Sequence, residues 1–108
     1  MRKVVLFCEY VIPDLHRDAF VAWIQSNPER WRGIQLLENT GQPGVYVEIV
    51  TVNTVEDAAE IEKERRDGRS WNEMEKWVKG GREGLRIWTF RPVTITGTQA
   101  SCRTEACN

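Results

Sequence analysis

One stretch of the sequence concentrates aromatic and apolar side chains among charged residues and then ends on two glycines. In residues 69–81, RSWNEMEKWVKGG, helical spacing places Trp71, Met74 and Val78 within about 60° of one another, with Trp77 on the flank. Such a face is typical of a helix that packs on a hydrophobic core. It could also line a site for a flat aromatic ligand, with Trp71 as a catalytic candidate and Met74 and Trp77 as ligand contacts.

Two further side chains could handle a proton near such a site. His16 is the only histidine and titrates near neutral pH, so it could act as a general base or orient a ligand. On a helix it would lie close to Phe20 and Trp23, which makes Trp23 a further candidate ligand contact. Tyr10 could donate a hydrogen bond into the same space. The simpler interpretations are a solvated histidine and an ordinary core tyrosine.

Three charged residues interrupt apolar strand patterns. Glu9, Glu48 and Arg86 lie on strands expected to be neighbours, and we assign all three to the sheet face turned away from the helices. Charges there are costly unless they are paired, which favours an ion-paired cluster that specifies a dimer interface. The functional alternative is a ligand site with an arginine that binds a carboxylate beside one or two acid/base glutamates.

Composition bounds the class of protein. The 108 residues suffice for one hydrophobic core, and 29% charged and 41% apolar residues are typical of a soluble globular domain. With 15 basic and 16 acidic residues there is no electrostatic footprint for nucleic acid, and the RNA-recognition alternative lacks exposed aromatics beside basic residues. The apolar run at residues 4–8 is far shorter than a membrane span, so we expect a cytoplasmic protein with no membrane partner.

The elements that must position these residues can be read in order along the chain. Residues 3–12 are almost continuously apolar and predict a central strand, followed by a helix that begins at Asp14. IQLLEN and VYVEIVTV flank the turn signal TGQPG and predict a hairpin. Thr54 with Asp57 opens a second helix that breaks near Gly68.

A new helical segment and a last strand complete the chain. Ser70 with Glu73 resembles a capping box and starts the segment that ends at two glycines, and LRIWTF follows as a strand. The order β-α-β-β-α-β is that of the ferredoxin-like α+β fold. It predicts a four-stranded antiparallel sheet with the first and third strands central and both helices on one face.

The other face of this sheet is predicted to be too apolar to stand in water. We assign to it Val5, Phe7, Val11, Tyr46, Val50, Trp88 and Phe90. A second copy of the same sheet is the simplest cover, so we expect a homodimer.

The sequence also resembles a known family. The opening KVVLF, the strand GVYVEIVTV followed by an acidic helix, the segment SWNEMEKW and the closing LRIWTF are similar to the dimeric α/β-barrel superfamily, in particular to antibiotic-biosynthesis-monooxygenase and stress-responsive barrel proteins. The resemblance covers residues 1–92 and implies a dimeric α/β barrel. It also implies a ligand cleft between helices and sheet, lined by the tryptophan that matches Trp71. Superfamily members include cofactor-free quinol oxygenases, haem-degrading oxygenases, dehydratases and isomerases, so the fold leaves the reaction open.

Haem degradation is disfavoured by one departure from the pattern. That branch uses an iron-ligating histidine after the tryptophan, but no histidine follows Trp71. We therefore expect no cofactor and no metal.

The remaining residues, 93–108, are predicted to form a C-terminal extension that packs on the partner subunit. Cys102 and Cys107 lie there, and a disulfide or metal role for them is disfavoured because a zinc site requires four ligands.

Two hypotheses for function remain. The first is a homodimeric barrel that binds an aromatic or apolar molecule in a tryptophan-lined cleft, as a cofactor-independent monooxygenase, with Trp71 stacking on the substrate. The second is a non-catalytic ligand-binding or interaction module.

Overall fold

The computed structural model describes residues 3–95 and contains four strands and four helices. The strands are β1 (Val4–Val11), β2 (Ile34–Glu38), β3 (Val45–Val52) and β4 (Arg86–Phe90). The helices are α1 (Arg17–Ser26), α2 (Pro28–Trp31), α3 (Val55–Asp67) and α4 (Arg69–Met74), with 3-10 turns at Asp14–His16, Glu75–Trp77 and Gly81–Gly84.

The strands form one antiparallel sheet in the order β2-β3-β1-β4. This confirms the predicted ferredoxin-like α+β fold, with the first and third strands in the centre and the helices packed on one face. The predicted helix start at Asp14 becomes a 3-10 turn, and the regular helix begins at Arg17.

The second helical region forms as two pieces for local reasons. The Thr54 side chain accepts a hydrogen bond of 2.9 Å from the Asp57 amide, which confirms the predicted cap of α3. Gly68 separates α3 from α4, and a Cβ atom there would lie 2.7 Å from the Glu64 carbonyl oxygen, so a larger residue does not fit. The predicted Ser70 cap of the next segment is wrong. The Ser70 amide instead donates to the Glu64 carboxylate, and α4 begins one residue earlier.

The sheet has one face covered by helices and one free face. On β1 the side chains of Leu6, Cys8 and Tyr10 are buried against the helices, and alternate residues point the other way. We call this other face the outer sheet face. By strand register it carries Val5, Phe7, Glu9, Val11, Gln35, Leu37, Val45, Val47, Ile49, Thr51, Arg86, Trp88 and Phe90.

Three residues of β3 lie on the opposite side from that predicted. Tyr46, Glu48 and Val50 are buried beneath the helices. The wholly apolar set of Val45, Val47 and Ile49 occupies the outer sheet face instead. The predicted alternation along β3 is confirmed, but the set that contains a glutamate is the inner one. Arginines from two helices, which the sequence does not predict, compensate its charge.

No helix within residues 3–95 combines the length and the apolar character needed to cross a bilayer. The predicted C-terminal extension falls outside the described residues from position 96 onward, as do Cys102 and Cys107. Its packing on a partner therefore stays a prediction, as does the division of the chain at residue 92.

Candidate functional site

A single carboxylate is completely buried between the sheet and the helices. The Tyr10 hydroxyl donates a hydrogen bond of 2.5 Å to Glu48 Oε2, and Arg30 donates to both carboxylate oxygens at 3.1 and 3.2 Å. Arg65 Nε donates to Oε1 at 3.2 Å. Paired hydrogen bonds from a guanidinium to a carboxylate are strong and directional, so Glu48 joins the sheet to α2 and α3.

The charges of this cluster are balanced. Arg65 also forms an ion pair with Glu64, and Glu64 accepts the Ser70 amide, so two arginines are matched by two glutamates. Burial raises the pKa of the Glu64 carboxyl, but hydrogen bonds from Ser70 and the Arg65 ion pair outweigh this effect. The pKa is therefore lower than its usual value. Because each buried charge has a partner, the cluster is compatible with a stable core.

The structure separates the predicted group of Glu9, Glu48 and Arg86. Glu48 lies on the helix side, so its predicted position on the outer sheet face is wrong. Glu9 and Arg86 remain directly opposite each other in the β1–β4 register on the outer sheet face. The physical reason for the difference is that Arg30 and Arg65 provide Glu48 with partners inside the molecule.

Burial beside Glu48 keeps two neighbouring acids protonated. Desolvation and the Glu48 charge raise the pKa of Tyr10 well above its ordinary value, and the hydrogen bond to Glu48 acts in the same direction. The same two main causes, desolvation first, raise the pKa of the Cys8 thiol to about 12. Tyr10 is therefore a hydrogen-bond donor at neutral pH, and Cys8 is an inert core thiol.

Next to this cluster lies a group of aromatic rings that we call the tryptophan cluster: Trp23, Trp31 and Trp77 around Phe20. The centroids of Trp23 and Trp77 are 5.7 Å apart, and those of Trp23 and Trp31 are 5.9 Å apart. Phe20 is fully buried, whereas the three indoles are half-buried. The cluster is therefore an aromatic surface that begins in the core and reaches solvent.

The Arg30 guanidinium lies against this surface. Its Cζ atom is 4.2 Å from the Trp31 ring centroid and 5.4 Å from that of Trp23. Arg30 Nε and Trp31 Nε1 are both buried and have no hydrogen-bond acceptor within residues 3–95. Such orphaned donors are rare in folded proteins and call for an explanation.

Arg30 and Trp31 are placed by α2, a single helical turn between α1 and β2. Pro28 occupies its first turn, and the Asn27 side chain donates 2.8 Å to the Trp23 carbonyl, which ends α1. Gly33 follows with φ of 74°, a left-handed conformation that favours glycine. Among the side chains of residues 27–33, Arg30 alone forms hydrogen bonds with the sheet.

Trp71 and Met74 both belong to the buried hydrophobic core. Trp71 has 0% relative exposure, so it touches neither solvent nor a water-sized cavity, and its Nε1 also lacks an acceptor within residues 3–95. Met74 is buried and its sulfur is 3.9 Å from Arg30 Nη2. The predicted face of Trp71, Met74 and Val78 is thus buried in the core, with Trp77 on its half-exposed flank.

His16 lies apart from these interactions. It is half-buried at the start of α1, and its ring makes no hydrogen bond, ion pair or ring contact with any residue in the range 3–95. No group of three or more potential metal ligands occurs in that same range.

Sequence reasoning identified Tyr10, Glu48, Trp23 and Trp77 but missed Trp31 and both arginines. Arg65 continues the helical stripe of Ala58 and Ile61 at intervals of three and four residues, a signal hidden by its charge. Arg30 gives no comparable signal, because it lies on one isolated turn.

Several solved structures are similar to this one. A proposed antibiotic biosynthesis monooxygenase from Nitrosomonas europaea matches with a TM-score of 0.64 and 20% identity, over 88% of this chain and 94% of that chain. Proteins of the same description from Deinococcus radiodurans and Bordetella bronchiseptica have TM-scores of 0.60 and 0.55, with 13% and 18% identity. Each of these two matches covers 87% of this chain, and 99% and 100% of the other chain respectively.

The chain shares their fold. The resemblance drawn from the sequence is therefore confirmed at the level of architecture. Identities this low carry no residue roles from one protein to another. No family model matches the chain, and a comparison with curated proteins finds no match.

Proposed function

We propose that the protein is a homodimer that binds an aromatic or otherwise apolar small molecule at the tryptophan cluster and oxidises it as a cofactor-independent monooxygenase. The observation that carries the binding site is the pair of buried orphaned donors, Arg30 Nε and Trp31 Nε1. A buried donor without an acceptor costs about 1–3 kcal/mol. A planar ligand bearing a carbonyl, phenol or carboxylate oxygen would stack on the indoles and supply an acceptor.

The ligand would enter by displacing α2. Arg30 holds this single turn to the sheet through Glu48, and Asn27 and Gly33 flank it with non-helical backbone. Outward movement of α2 would uncover Tyr10 and Glu48 beside Trp23. This step is required because Glu48 and Trp71 have 0% relative exposure in the closed form.

The chemistry would need a donor and a proton acceptor at the substrate oxygen. Tyr10 stays protonated because its pKa is raised, and it would donate to that oxygen while Glu48 takes the phenolic proton. The bound anion would then react with dioxygen. The phenol loses its hydroxyl hydrogen and one ring hydrogen, which leave as water with one oxygen atom, and the other oxygen becomes a quinone carbonyl.

His16 and Trp71 retain proposed roles that depend on this opening. The His16 ring has no hydrogen-bond or ion-pair partner within residues 3–95, so it would be available as a general base or to orient a ligand. Trp71 would stack on a ligand that reaches the buried core.

The proposed dimer is supported by the outer sheet face. Trp88 and Phe90 are 44% and 55% exposed, and Leu37 is 43% exposed. An apolar cavity of about 400 Å³ lies on the same face beside Val5 and Phe7. A contiguous apolar surface on a sheet is typical of a protein interface, and a second copy of this sheet would cover it.

The proposal is tested by a thermal-shift screen of quinols, polyphenols, small aromatic acids and haem, followed by oxygen uptake with any ligand found. A binder raises the unfolding midpoint by mass action. We expect a quinol or polyphenol to stabilise the wild type but not Trp23→Ala, and to stabilise Trp88→Ala, whose indole lies on the outer sheet face. Haem as the only stabilising compound, or equal effects in both variants, would contradict the proposed site.

The second candidate, a non-catalytic interaction module, is favoured by the complete burial of Trp71. In that case the tryptophan cluster only stabilises the core. No ligand in the screen would shift the midpoint, and oxygen uptake would stay at the buffer rate.

A further inference from the structure

A separate concavity of about 280 Å³ lies at the end of the sheet where β1 finishes and β4 begins. We call it the rim pocket. Its wall comes from β1, β3, the β2–β3 hairpin and the 3-10 turn before β4: Glu9, Val11, Gln42, Val45, Glu83 and Arg86. Tyr10 and Gly84 also line the rim pocket, but no residue of the tryptophan cluster does.

Within residues 3–95, the charged groups of the rim pocket have no ion-pair partner. Glu9 and Arg86 are direct neighbours in the β1–β4 register, yet they form no ion pair. Within the described part of the chain, the side chains of Gln42 and Glu83 also have no hydrogen-bond or ion-pair partner. Elsewhere in this protein, Arg17, Arg30, Arg32, Arg65, Arg66, Arg69 and Arg82 each pair with a carboxylate. Arg86 is therefore a guanidinium held beside two carboxylates without contacting either.

We propose that the rim pocket binds a small zwitterion, an amino acid with an aliphatic side chain. Arg86 would hold the carboxylate, because a guanidinium matches a carboxylate with two parallel hydrogen bonds. Glu9 and Glu83 would accept from the ammonium group, and Val11 and Val45 would contact the side chain. The pocket is smaller than the roughly 300–1,000 Å³ typical of drug-sized ligands, which favours a ligand of this size.

The charge pattern decides between ligand classes. Two acids and one arginine leave a net charge of about -1 around the pocket, so a simple anion would meet repulsion from both glutamates. A simple cation would leave Arg86 unpaired and close to its own charge. Only a ligand that carries both charges satisfies all three groups at once.

The experiment is a titration of the ¹⁵N-labelled protein followed by amide chemical shifts, with three matched probes. L-Leucine carries both charges, 4-methylpentanoate keeps the carboxylate alone, and 3-methylbutylamine keeps the ammonium alone. We expect leucine to shift amides around the rim pocket, with each single-charge probe at least about tenfold weaker, since each loses hydrogen bonds to a charged group. Binding of 4-methylpentanoate as tight as that of leucine, or no shift with leucine, would overturn the proposal.

Variants locate the site and separate it from the tryptophan cluster. Arg86→Gln and Glu9→Gln are each expected to weaken leucine binding about tenfold or more. Glu56→Gln removes an exposed carboxylate from α3 and should leave the affinity unchanged. Because Glu9 and Arg86 lie on the outer sheet face, which the proposed dimer would cover, the titration is repeated at two protein concentrations. Loss of leucine binding at the higher concentration would overturn the proposal. Wild-type affinity in both rim variants would rule out this site, whatever the outcome at the tryptophan cluster.

Discussion

Tyr10 donates a hydrogen bond of 2.5 Å to Glu48 across the two central strands, and both side chains are completely enclosed by the helices. Arg30 and Arg65 complete the set of donors around the same carboxylate. A charge at this depth is tolerated because two guanidinium groups compensate it and all three donors hydrogen-bond its oxygens. Glu48 therefore links β1, β3, α2 and α3.

Removing the tyrosine hydroxyl should weaken the link without leaving a large cavity. We expect Tyr10→Phe to lower the free energy of unfolding by about 1.5–3 kcal/mol, the usual range for a hydrogen bond to a charged group. Urea unfolding of Tyr10→Phe, Glu48→Gln and the double variant measures the coupling. If Tyr10→Phe costs as much in the Glu48→Gln background as in the wild type, the negative charge of Glu48 adds nothing to the hydrogen bond.

Substitutions of two adjacent arginines of α3 should lower the free energy of unfolding by very different amounts. Arg65→Met leaves a buried carboxylate short of one partner and is expected to cost about 3–5 kcal/mol. Arg66→Met removes a half-exposed ion pair with Glu62, at 3.0 Å, and is expected to cost at most about 1 kcal/mol. Chemical unfolding of both variants provides the comparison. Similar losses in the two would mean that Arg65 has no special role.

Stability should fall at alkaline pH through the buried thiol and phenol. Both groups have raised pKa values in the folded protein, so the unfolded chain releases their protons first. The stabilisation that the protonated Cys8 thiol contributes is fully present below pH 9.0. It is lost as the pH rises towards about 12, and the free energy of unfolding falls by up to about 1.4 kcal/mol per pH unit. We expect Cys8→Ala to flatten this decline in unfolding experiments between pH 8 and 11.5. Parallel curves for the wild type and Cys8→Ala would contradict the assignment.

The outer sheet face should control assembly. Val47 lies on this face of the central strand β3, so Val47→Glu is expected to convert a dimer at micromolar concentration into a monomer, as measured by light scattering or sedimentation. Leu15→Glu provides the control, because Leu15 is 84% exposed on the first 3-10 turn. A wild-type protein that is monomeric under these conditions would refute the proposed homodimer.

Much of the architecture follows from local signals in the sequence. The apolar run of β1, the turn between β2 and β3, and the Thr54 cap each depend on residues close together in the chain. Such signals fix element type and order, and the β-α-β-β-α-β order then restricts the topology to very few choices. The sequence therefore predicts the ferredoxin-like fold, and it puts Trp71 on a helix face that packs in the core.

The tertiary structure decided which face of β3 is inside and what Glu48 does there. Alternation along a strand separates two sets of side chains, but it does not say which set meets the helices. That choice depends on Arg30 and Arg65, which lie 18 and 17 residues from Glu48 in the chain and reach it only after the helices pack. Glu9 and Arg86 lie opposite each other because the register of β1 and β4 pairs them. Glu48 lies on the other face of the sheet, where its two arginine partners are.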